Sequence, residues 1–176
     1  GIDPGEWQAP RRPSEQPVVK LFGNWAWGPN RRGLEWFLSQ VWPRLETTTA
    51  RCLIAGSGAD IPVGCRDSVT FVGRVPSLDV WTSDAWAVAV PVVGGVGAPV
   101  KYLEAVATHA PVLSTPDGAP TARHAAALVS ADPQAWTSTL DALLGQSSPP
   151  PDTHVDLQEL SWKKATAPLL RWLAER

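Results

Sequence analysis

Apolar residues along this chain occur in two patterns, short continuous runs and stretches with helical spacing. The continuous runs are rich in Val and Ala and end at Gly or Ser, which is typical of strands buried on both faces of a sheet. They predict strands at residues 18–22, 51–55, 69–72, 86–93, 111–113 and 126–129.

Stretches with helical spacing separate these runs. After Asn30, residues Leu34, Phe37, Leu38 and Val41 fall at i, i+3, i+4 and i+7, which places them on one face of a helix. A short helical turn is predicted at 77–82, and further helices at 100–107, from 132 onward and at 161–176. Because strands and helices alternate, the chain predicts βαβ units and a parallel sheet.

The predicted fold class is α/β, a Rossmann-like doubly wound parallel sheet of about six strands with helices on both faces. In such sheets the ligand lies beyond the carboxyl ends of the strands. Three glycine-containing segments follow predicted strands, at residues 23–24, 73–74 and 94–97. We therefore expect these segments to meet at the binding edge of the sheet.

Proline-rich, aperiodic segments mark the predicted domain boundaries. We expect an N-terminal arm or linker at 1–17, one α/β domain at 18–146, a Pro-rich linker at 147–160 and a C-terminal helix at 161–176. Pro168 is expected to kink or split that helix. Trp7, in the arm, is expected to pack against a part that this sequence lacks. The chain contains no Met, so we expect it to have been excised from a longer protein.

Composition excludes several classes of function. The 176 residues are 44% hydrophobic and 18% charged with a net charge of -2, which indicates a soluble globular domain without the basic footprint of a nucleic-acid-binding protein. The two cysteines and three histidines show no metal-ligand spacing. No apolar run reaches the roughly 20 residues needed to cross a membrane. We expect a cytoplasmic protein with no metal and no nucleic-acid partner.

Residues 91–115 carry the most specific chemistry. A buried strand runs into a glycine-rich turn at 94–97, and a helix follows whose free N–H groups suit a diphosphate. Lys101, in the first turn of that helix, would add a cation, and Glu104 offers a carboxylate to sugar hydroxyls. The alternative is an ordinary α/β turn with a surface ion pair, since the two residues are three apart. No Gly-Lys-Ser/Thr follows, so this segment is not a P-loop.

The same segment, GGVGAPVKYLEAVATHAPVLST, resembles the signature GxGxxxKxxEA of the group 1, or family four, retaining glycosyltransferases of GT-B fold. The opening GIDP is similar to the NGVDP that begins the donor-binding domain in that family. LFGNWAWGPNRRGLEWFLSQVWPRL resembles its first strand and helix, and VTFVGRVPSLDVWTSDAWAVAVPV its later strands. The resemblance covers nearly the whole chain in the expected order.

The resemblance implies a donor site with no confident catalytic residue in this segment. Glu104 is implied to hold the ribose hydroxyls, whereas the acid that contacts the donor sugar is absent, because Val96 stands there. The other implied site residues are Gly95, Gly97, Ala98, Pro99 and Val100, which face the sugar and diphosphate; Arg74 and Val75, whose main chain reads the base; Asn24, at a position that is often a phosphate-binding arginine; and Arg32 or its neighbour Arg31, in place of a further basic residue.

The function implied is that of the C-terminal, donor-binding half of a bacterial glycosyltransferase. It would bind a nucleoside diphosphate sugar and, with retention, transfer a hexose-type sugar to a hydroxyl acceptor without a metal. The acceptor domain would be the missing N-terminal part of the same polypeptide, so this fragment would be inactive alone. Peripheral membrane association of the full-length enzyme is left open.

Two other functions compete with this prediction. One is a degenerate, non-catalytic binding or assembly module, because Asn24, Val96, Pro99 and His109 depart from the family pattern. The other is a different GT-B enzyme, such as a nucleotide-sugar epimerase, which would need acidic and histidine groups around the cleft. A further choice concerns Trp25 and its neighbour Trp27, where stacking on a sugar or on the missing domain competes with ordinary packing.

Overall fold

The computed structural model describes residues 1–58, 67–95, 100–119 and 126–175. Within these ranges, six strands form one sheet: β1 Val18–Asn24, β2 Arg51–Ser57, β3 Val69–Gly73, β4 Ala87–Val90, β5 Val112–Ser114 and β6 Ala126–Val129. Their order is β3-β2-β1-β4-β5-β6, and every neighbouring pair is parallel. This is the strand order of a doubly wound dinucleotide-binding sheet, so the predicted fold class is confirmed.

Five α-helices accompany the sheet in the described ranges: α1 Gly28–Trp36, α2 Leu78–Thr82, α3 Val100–Ala107, α4 Pro133–Leu144 and α5 Trp162–Ala174. Helix α4 begins where predicted, because the Asp132 carboxylate accepts a hydrogen bond from the Gln134 N–H at 3.0 Å. Helix α1 is shorter than predicted and continues as a π turn at Phe37–Val41. The turn widens before Pro43, which has no N–H with which to extend a regular ladder.

Apolar side chains fill both faces of the sheet, as a doubly wound fold requires. Successive residues of β4 show this alternation, since Ala87 and Ala89 belong to one buried cluster and Val88 and Val90 to the other. Helix α4 packs in the first cluster through Trp136, Leu140 and Leu144, and helix α3 packs in the second. The second core therefore holds α3 against β4 and β5.

Three local features differ from what the sequence predicted. Strand β4 ends at Val90 and not at residue 93, because Pro91 cannot donate to a ladder; Val92 is bound instead by the Thr115 hydroxyl. Helix α5 runs through Pro168 as one element, so the expected split is absent. Trp7 packs within this chain, where only 8% of its surface is exposed and it joins the second buried cluster.

The segments on either side of the α/β domain contact one another. The Ile2 N–H donates to the Leu160 carbonyl at 3.0 Å, and the Trp162 N–H donates to the Ile2 carbonyl at 3.1 Å. Arg11 reaches across to the Asp152 carboxylate at 2.7 Å. The arm at 1–17 and the segment before α5 therefore lie side by side, whereas the large apolar residues of α5 are about half exposed.

Candidate functional site

A cleft of about 340 Å³ opens at the carboxyl ends of β1, β2 and β3. Five of the residues predicted for the donor site line it, namely Asn24, Arg74, Val75, Lys101 and Glu104. They come from three distant segments of the sequence, and the parallel topology brings those segments to one edge. The structure therefore assembles these five residues into one cavity; their roles toward a ligand stay predictions.

Lys101 brings an enclosed cation into this cleft. Its Nζ is buried and has no hydrogen-bond partner in the part of the chain that the structure describes. It lies over the face of Trp25, whose ring centroid is 4.8 Å from Nζ. Burial lowers the pKa of Lys101 to about 8, and the charge of Glu104 opposes that shift in part. Because an ammonium has three donors, a bound oxyanion would supply the acceptors that this one lacks.

Glu104 lies one helical turn after Lys101 and stands between two cavities. Besides the cleft, it borders a neighbouring cavity of about 400 Å³, whose walls include Glu6 and Ser77. Burial raises the pKa of the Glu104 carboxyl; Lys101 lowers it and Glu6 raises it. Among the described ion pairs none joins Glu104 to Lys101 within 4.0 Å, so the alternative of a surface pair is not what the structure shows. The carboxylate is left available to hydroxyl donors.

Arg32 holds the glycine-rich turn and does not line the cleft. Its Nε and Nη2 donate to the Val93 carbonyl at 3.2 and 2.9 Å. On the other side of the turn, the Gly94 N–H donates to the Asp117 carboxylate at 2.6 Å. Gly94 has a φ of 70°, a conformation that favours glycine. The cation predicted to meet the ligand is therefore engaged by backbone carbonyls, where it fixes the shape of the turn.

The remaining predicted residues lie around the start of α3. Gly95 is packed so closely that a side chain there would meet Val92 at 2.8 Å and the Trp27 ring at 3.4 Å. Val100 is the first residue of α3. Gly97, Ala98 and Pro99, together with Val96, lie outside the described residues.

The two tryptophans after β1 behave differently. Trp25 is 1% exposed, and its Nε1 donates to the Ala55 carbonyl at 2.9 Å, so it cannot stack on a sugar or on another domain. Trp27 is 47% exposed and keeps that choice open. Of the two alternatives, Trp25 therefore takes ordinary packing, and its ring faces the Lys101 ammonium.

Sequence reasoning missed three groups at this edge. Asp117 fixes the turn, and the Asp-Gly pair that it begins is a turn signal that would have marked it. Asn30 is buried, and its amide nitrogen donates to the Asn24 carbonyl at 2.8 Å. The third is the contact between the Trp25 ring and Lys101, for which the sequence carries no signal, because these residues are 76 positions apart and meet only in the folded chain.

Neither a metal-binding cluster nor a membrane-spanning helix is found among the described residues. Within those ranges no group of three or more His, Cys, Asp or Glu side chains is arranged to hold a metal ion. No described helix is both long and apolar enough to span a membrane.

A strand order of this kind and a cleft at its carboxyl edge define a Rossmann-like domain of the nucleotide-binding type. The sequence profile of the family described as Glycosyl transferases group 1 matches residues 16–146. The chain belongs to the group 1 glycosyltransferases. No curated protein matches the sequence.

Solved structures of glycosyltransferases share the fold. The C-terminal domain of LpcC, a group 1 family protein from Francisella tularensis, is 17% identical with a TM-score of 0.62, and the match covers 84% of this chain and 89% of that domain. Anabaena Alr3699/HepE, in complex with UDP and glucose, is 13% identical with a TM-score of 0.70, covering 100% and 56%. Sucrose-phosphate synthase from Thermosynechococcus elongatus is 20% identical with a TM-score of 0.58, covering 93% and 46%.

These coverages show what part of the fold is present. The chain matches nearly the whole of the separate LpcC C-terminal domain but spans only about half of the HepE and sucrose-phosphate synthase chains. It therefore has the fold of the C-terminal half of a two-domain GT-B glycosyltransferase.

Proposed function

We propose that this domain binds the nucleoside diphosphate sugar donor of a retaining glycosyltransferase that transfers a hexose-type sugar to a hydroxyl acceptor. The observation that carries the proposal is the buried Lys101 ammonium without a hydrogen-bond partner, beside Glu104 in a cleft at the carboxyl edge of the sheet. The similarity to HepE, which is solved with UDP and glucose and with UDP-glucose, supports the same ligand class.

Different residues of the cleft contact different parts of the donor molecule. The diphosphate lies against the Lys101 ammonium and the free N–H groups at the start of α3, where the helix dipole also favours an anion. The Glu104 carboxylate accepts from the ribose hydroxyls, and its raised pKa reflects a partly dry position in which such bonds are strong. The main chain of Arg74 and Val75 reads the base, and Asn24 closes the β1 side.

Charge stabilisation at the leaving group is the chemical role of this half. When the bond between the sugar and the diphosphate breaks, negative charge develops on the diphosphate, where a preorganised cation and N–H groups lower the barrier. The proposal includes no metal, since Lys101 and the helix start supply this charge. Arg32 acts indirectly and does not contact the ligand. Its hydrogen bonds to the Val93 carbonyl hold the backbone at the start of the turn.

The acceptor side of the reaction lies outside this domain in the proposal. The partner is the other half of the GT-B fold, which would bring the hydroxyl acceptor to the donor sugar across the cleft. The domain alone is therefore expected to bind nucleotide and to show no transferase activity.

Calorimetric titration of the domain with UDP, GDP, ADP and TDP tests this function. Glu104→Ala is expected to weaken the best nucleotide by about 1–3 kcal/mol, because ribose hydroxyls lose their acceptor. Glu35→Ala is the matched control, since Glu35 is an exposed carboxylate on α1 away from the cleft. It should leave the affinity unchanged.

Two results would contradict the proposal. Binding of none of the four nucleotides would leave the non-catalytic module as the better description. Equal losses in Glu104→Ala and Glu35→Ala would show that Glu104 acts only through overall charge and holds no ribose.

A further inference from the structure

The indole of Trp25 is clamped in one orientation beneath the cleft. Its Nε1 donates to the Ala55 carbonyl at 2.9 Å, and its main-chain N–H donates to the Ser57 carbonyl at 2.8 Å. Both acceptors belong to β2, and only 1% of Trp25 is exposed. The ring therefore has a fixed face, and the Lys101 ammonium lies 4.8 Å from its centroid.

Gly23 leaves the space that this ammonium occupies. A Cβ at residue 23 would stand 2.5 Å from Lys101 Nζ and 2.9 Å from its Cε, closer than non-bonded atoms approach. The end of β1 thus provides two things in succession, an open position at Gly23 and an aromatic face at Trp25.

Some interaction must hold the Lys101 ammonium inside the cleft. Its side chain is flexible, and its ammonium is better hydrated in water than it is here, as the pKa lowered by burial records. The charge of Glu104 attracts it without a hydrogen bond within reach. The face of an indole attracts a cation and is the strongest aromatic surface for doing so.

We infer that Trp25 is a positioning residue for Lys101, whose indole face holds the ammonium in the empty cleft where the donor's diphosphate is to bind. Trp25 is buried and does not touch the ligand; it acts through the lysine. This inference rests on the proposed function, in which Lys101 binds the diphosphate. It goes further by stating what keeps an otherwise unpaired cation in place before the ligand arrives.

The matched variants are Trp25→Phe and Trp25→Leu. Both remove the donor to the Ala55 carbonyl and both are smaller than Trp, so both disturb the packing in a similar way. Only Phe keeps an aromatic face for the ammonium. A difference between the two variants therefore reports the cation–aromatic contact and not the loss of structure.

A readout without ligand comes from the lysine ε-methylene signals in NMR. The chain has four lysines, and ring current should shift those of Lys101 and of Lys20, which lies 4.5 Å from the Trp81 ring centroid. Lys163 and Lys164 are exposed and give the unshifted reference. Trp25→Leu should return Lys101 to that reference, Trp25→Phe should keep part of its shift, and Lys20 should not move in either.

Titration with inorganic pyrophosphate, and with UDP, GDP, ADP and TDP, gives the second readout. Trp25→Leu is expected to weaken pyrophosphate binding on the order of tenfold, and Trp25→Phe by less. Lys101→Met should weaken it at least as much as Trp25→Leu. Gly23→Ala places a methyl group where the ammonium lies and should lose both the ring-current shift and the affinity. Because Gly23 has a φ of 157°, which L side chains rarely adopt, the tryptophan signals of this variant must first match those of the unaltered domain.

The outcomes separate this inference from the function on which it rests. An unshifted Lys101 in the unaltered protein, or equal shifts and affinities in Trp25→Phe and Trp25→Leu, would overturn the role of Trp25 while Lys101 could still bind diphosphate. If Lys101→Met binds pyrophosphate and nucleotides as tightly as the unaltered domain, the assignment of Lys101 itself fails. Should neither Trp25 variant fold, the unaltered protein and Gly23→Ala decide by the same NMR shift.

Discussion

Two buried lysines of this domain lie over tryptophan rings, and their surroundings differ in one respect. Lys20, within β1, is 2% exposed and donates to the Asp84 carboxylate and the Trp81 carbonyl. Lys101, on α3, has the aromatic face but no acceptor among the described residues. Burial lowers the pKa of both lysines, and a hydrogen bond that the ammonium donates to a carboxylate, that of Asp84, opposes the shift only at Lys20.

The difference teaches how to separate a structural charge from a functional one. A cation whose donors are satisfied within the chain stabilises the fold, since removing it leaves unpaired acceptors. A cation enclosed without acceptors lowers the stability of the fold, and it is expected where a ligand supplies the missing acceptors. Residue type and an aromatic neighbour are the same at both sites, so the hydrogen-bond partners distinguish them.

The largest expected effect that sharpens this comparison is on stability. Lys20→Met should lower the free energy of unfolding by about 1–2 kcal/mol, because the Trp81 carbonyl and Asp84 lose their donor. Lys101→Met should raise it by about 1–2 kcal/mol at pH 7. The pKa of Lys101 falls from 10.5 to about 8 on folding, which costs roughly 3 kcal/mol below pH 8, and the lost contact with Trp25 offsets part of that gain.

Urea unfolding of both variants measures these changes. The advantage of Lys101→Met should be full below pH 8 and should shrink as the pH rises from 8 toward 10.5, where the lysine is neutral in both states. Two variants that both destabilise the domain would show that Lys101 is an ordinary structural lysine.

A smaller effect concerns the glycine-rich turn, where Arg32 and Asp117 hold the backbone from opposite sides. Arg32→Ala and Asp117→Ala are each expected to weaken nucleotide binding by about 1 kcal/mol or less, because the turn loses shape and no ligand contact is removed. Since both act on one turn, the double variant should lose less than the sum of the single losses. Calorimetry of the three variants completes this cycle.

Because Arg32 and Asp117 carry opposite charges, the comparison of their variants shows whether Arg32 holds the turn or contacts the diphosphate. If Arg32 contacted the diphosphate directly, Arg32→Ala would cost much more than Asp117→Ala, and removal of the acidic Asp117 would strengthen binding. That result would return Arg32 to the role that the sequence first suggested.

The sequence predicts the sheet well because its physics is local. Continuous apolar runs ending in Gly or Ser identify all six described strands, and their alternation with helices indicates a parallel sheet covered on both faces. Errors arise where one residue overrides a pattern, as Pro91 does at the end of β4 and as Pro43 does after α1. At Pro168 the reverse holds, since the helix continues through a residue that the sequence rule would treat as a break.

The sequence predicts which residues form the site but not which contacts each of them makes. Lys101 and Glu104 could be found because a glycine-rich turn before a helix has a recognisable chemistry. The different contacts of Arg32 and Lys101 could not be predicted, because each side chain meets a group that is distant in the sequence. Arg32 finds the Val93 carbonyl, whereas Lys101 finds only the Trp25 ring.

A bound diphosphate supplies the hydrogen-bond acceptors that the Lys101 ammonium lacks, and this is the central claim. The pH dependence of nucleotide binding tests it most directly. The tightest-binding nucleoside diphosphate is titrated by calorimetry between pH 7 and 9.5, with the unaltered domain and Lys101→Met. Lys101 is charged below a pKa of about 8 in the empty cleft, with Glu104 and Arg74 the charged groups that share the cleft. The bound anion should raise that pKa.

Affinity should therefore be constant up to about pH 8 and then fall by up to about tenfold per pH unit, with uptake of a proton on binding. The terminal phosphate of a nucleoside diphosphate ionises near pH 6 and does not add to this slope. Lys101→Met should bind weakly and show no such fall. Identical pH profiles for the two proteins would contradict the account, because the anion would then be held without the lysine.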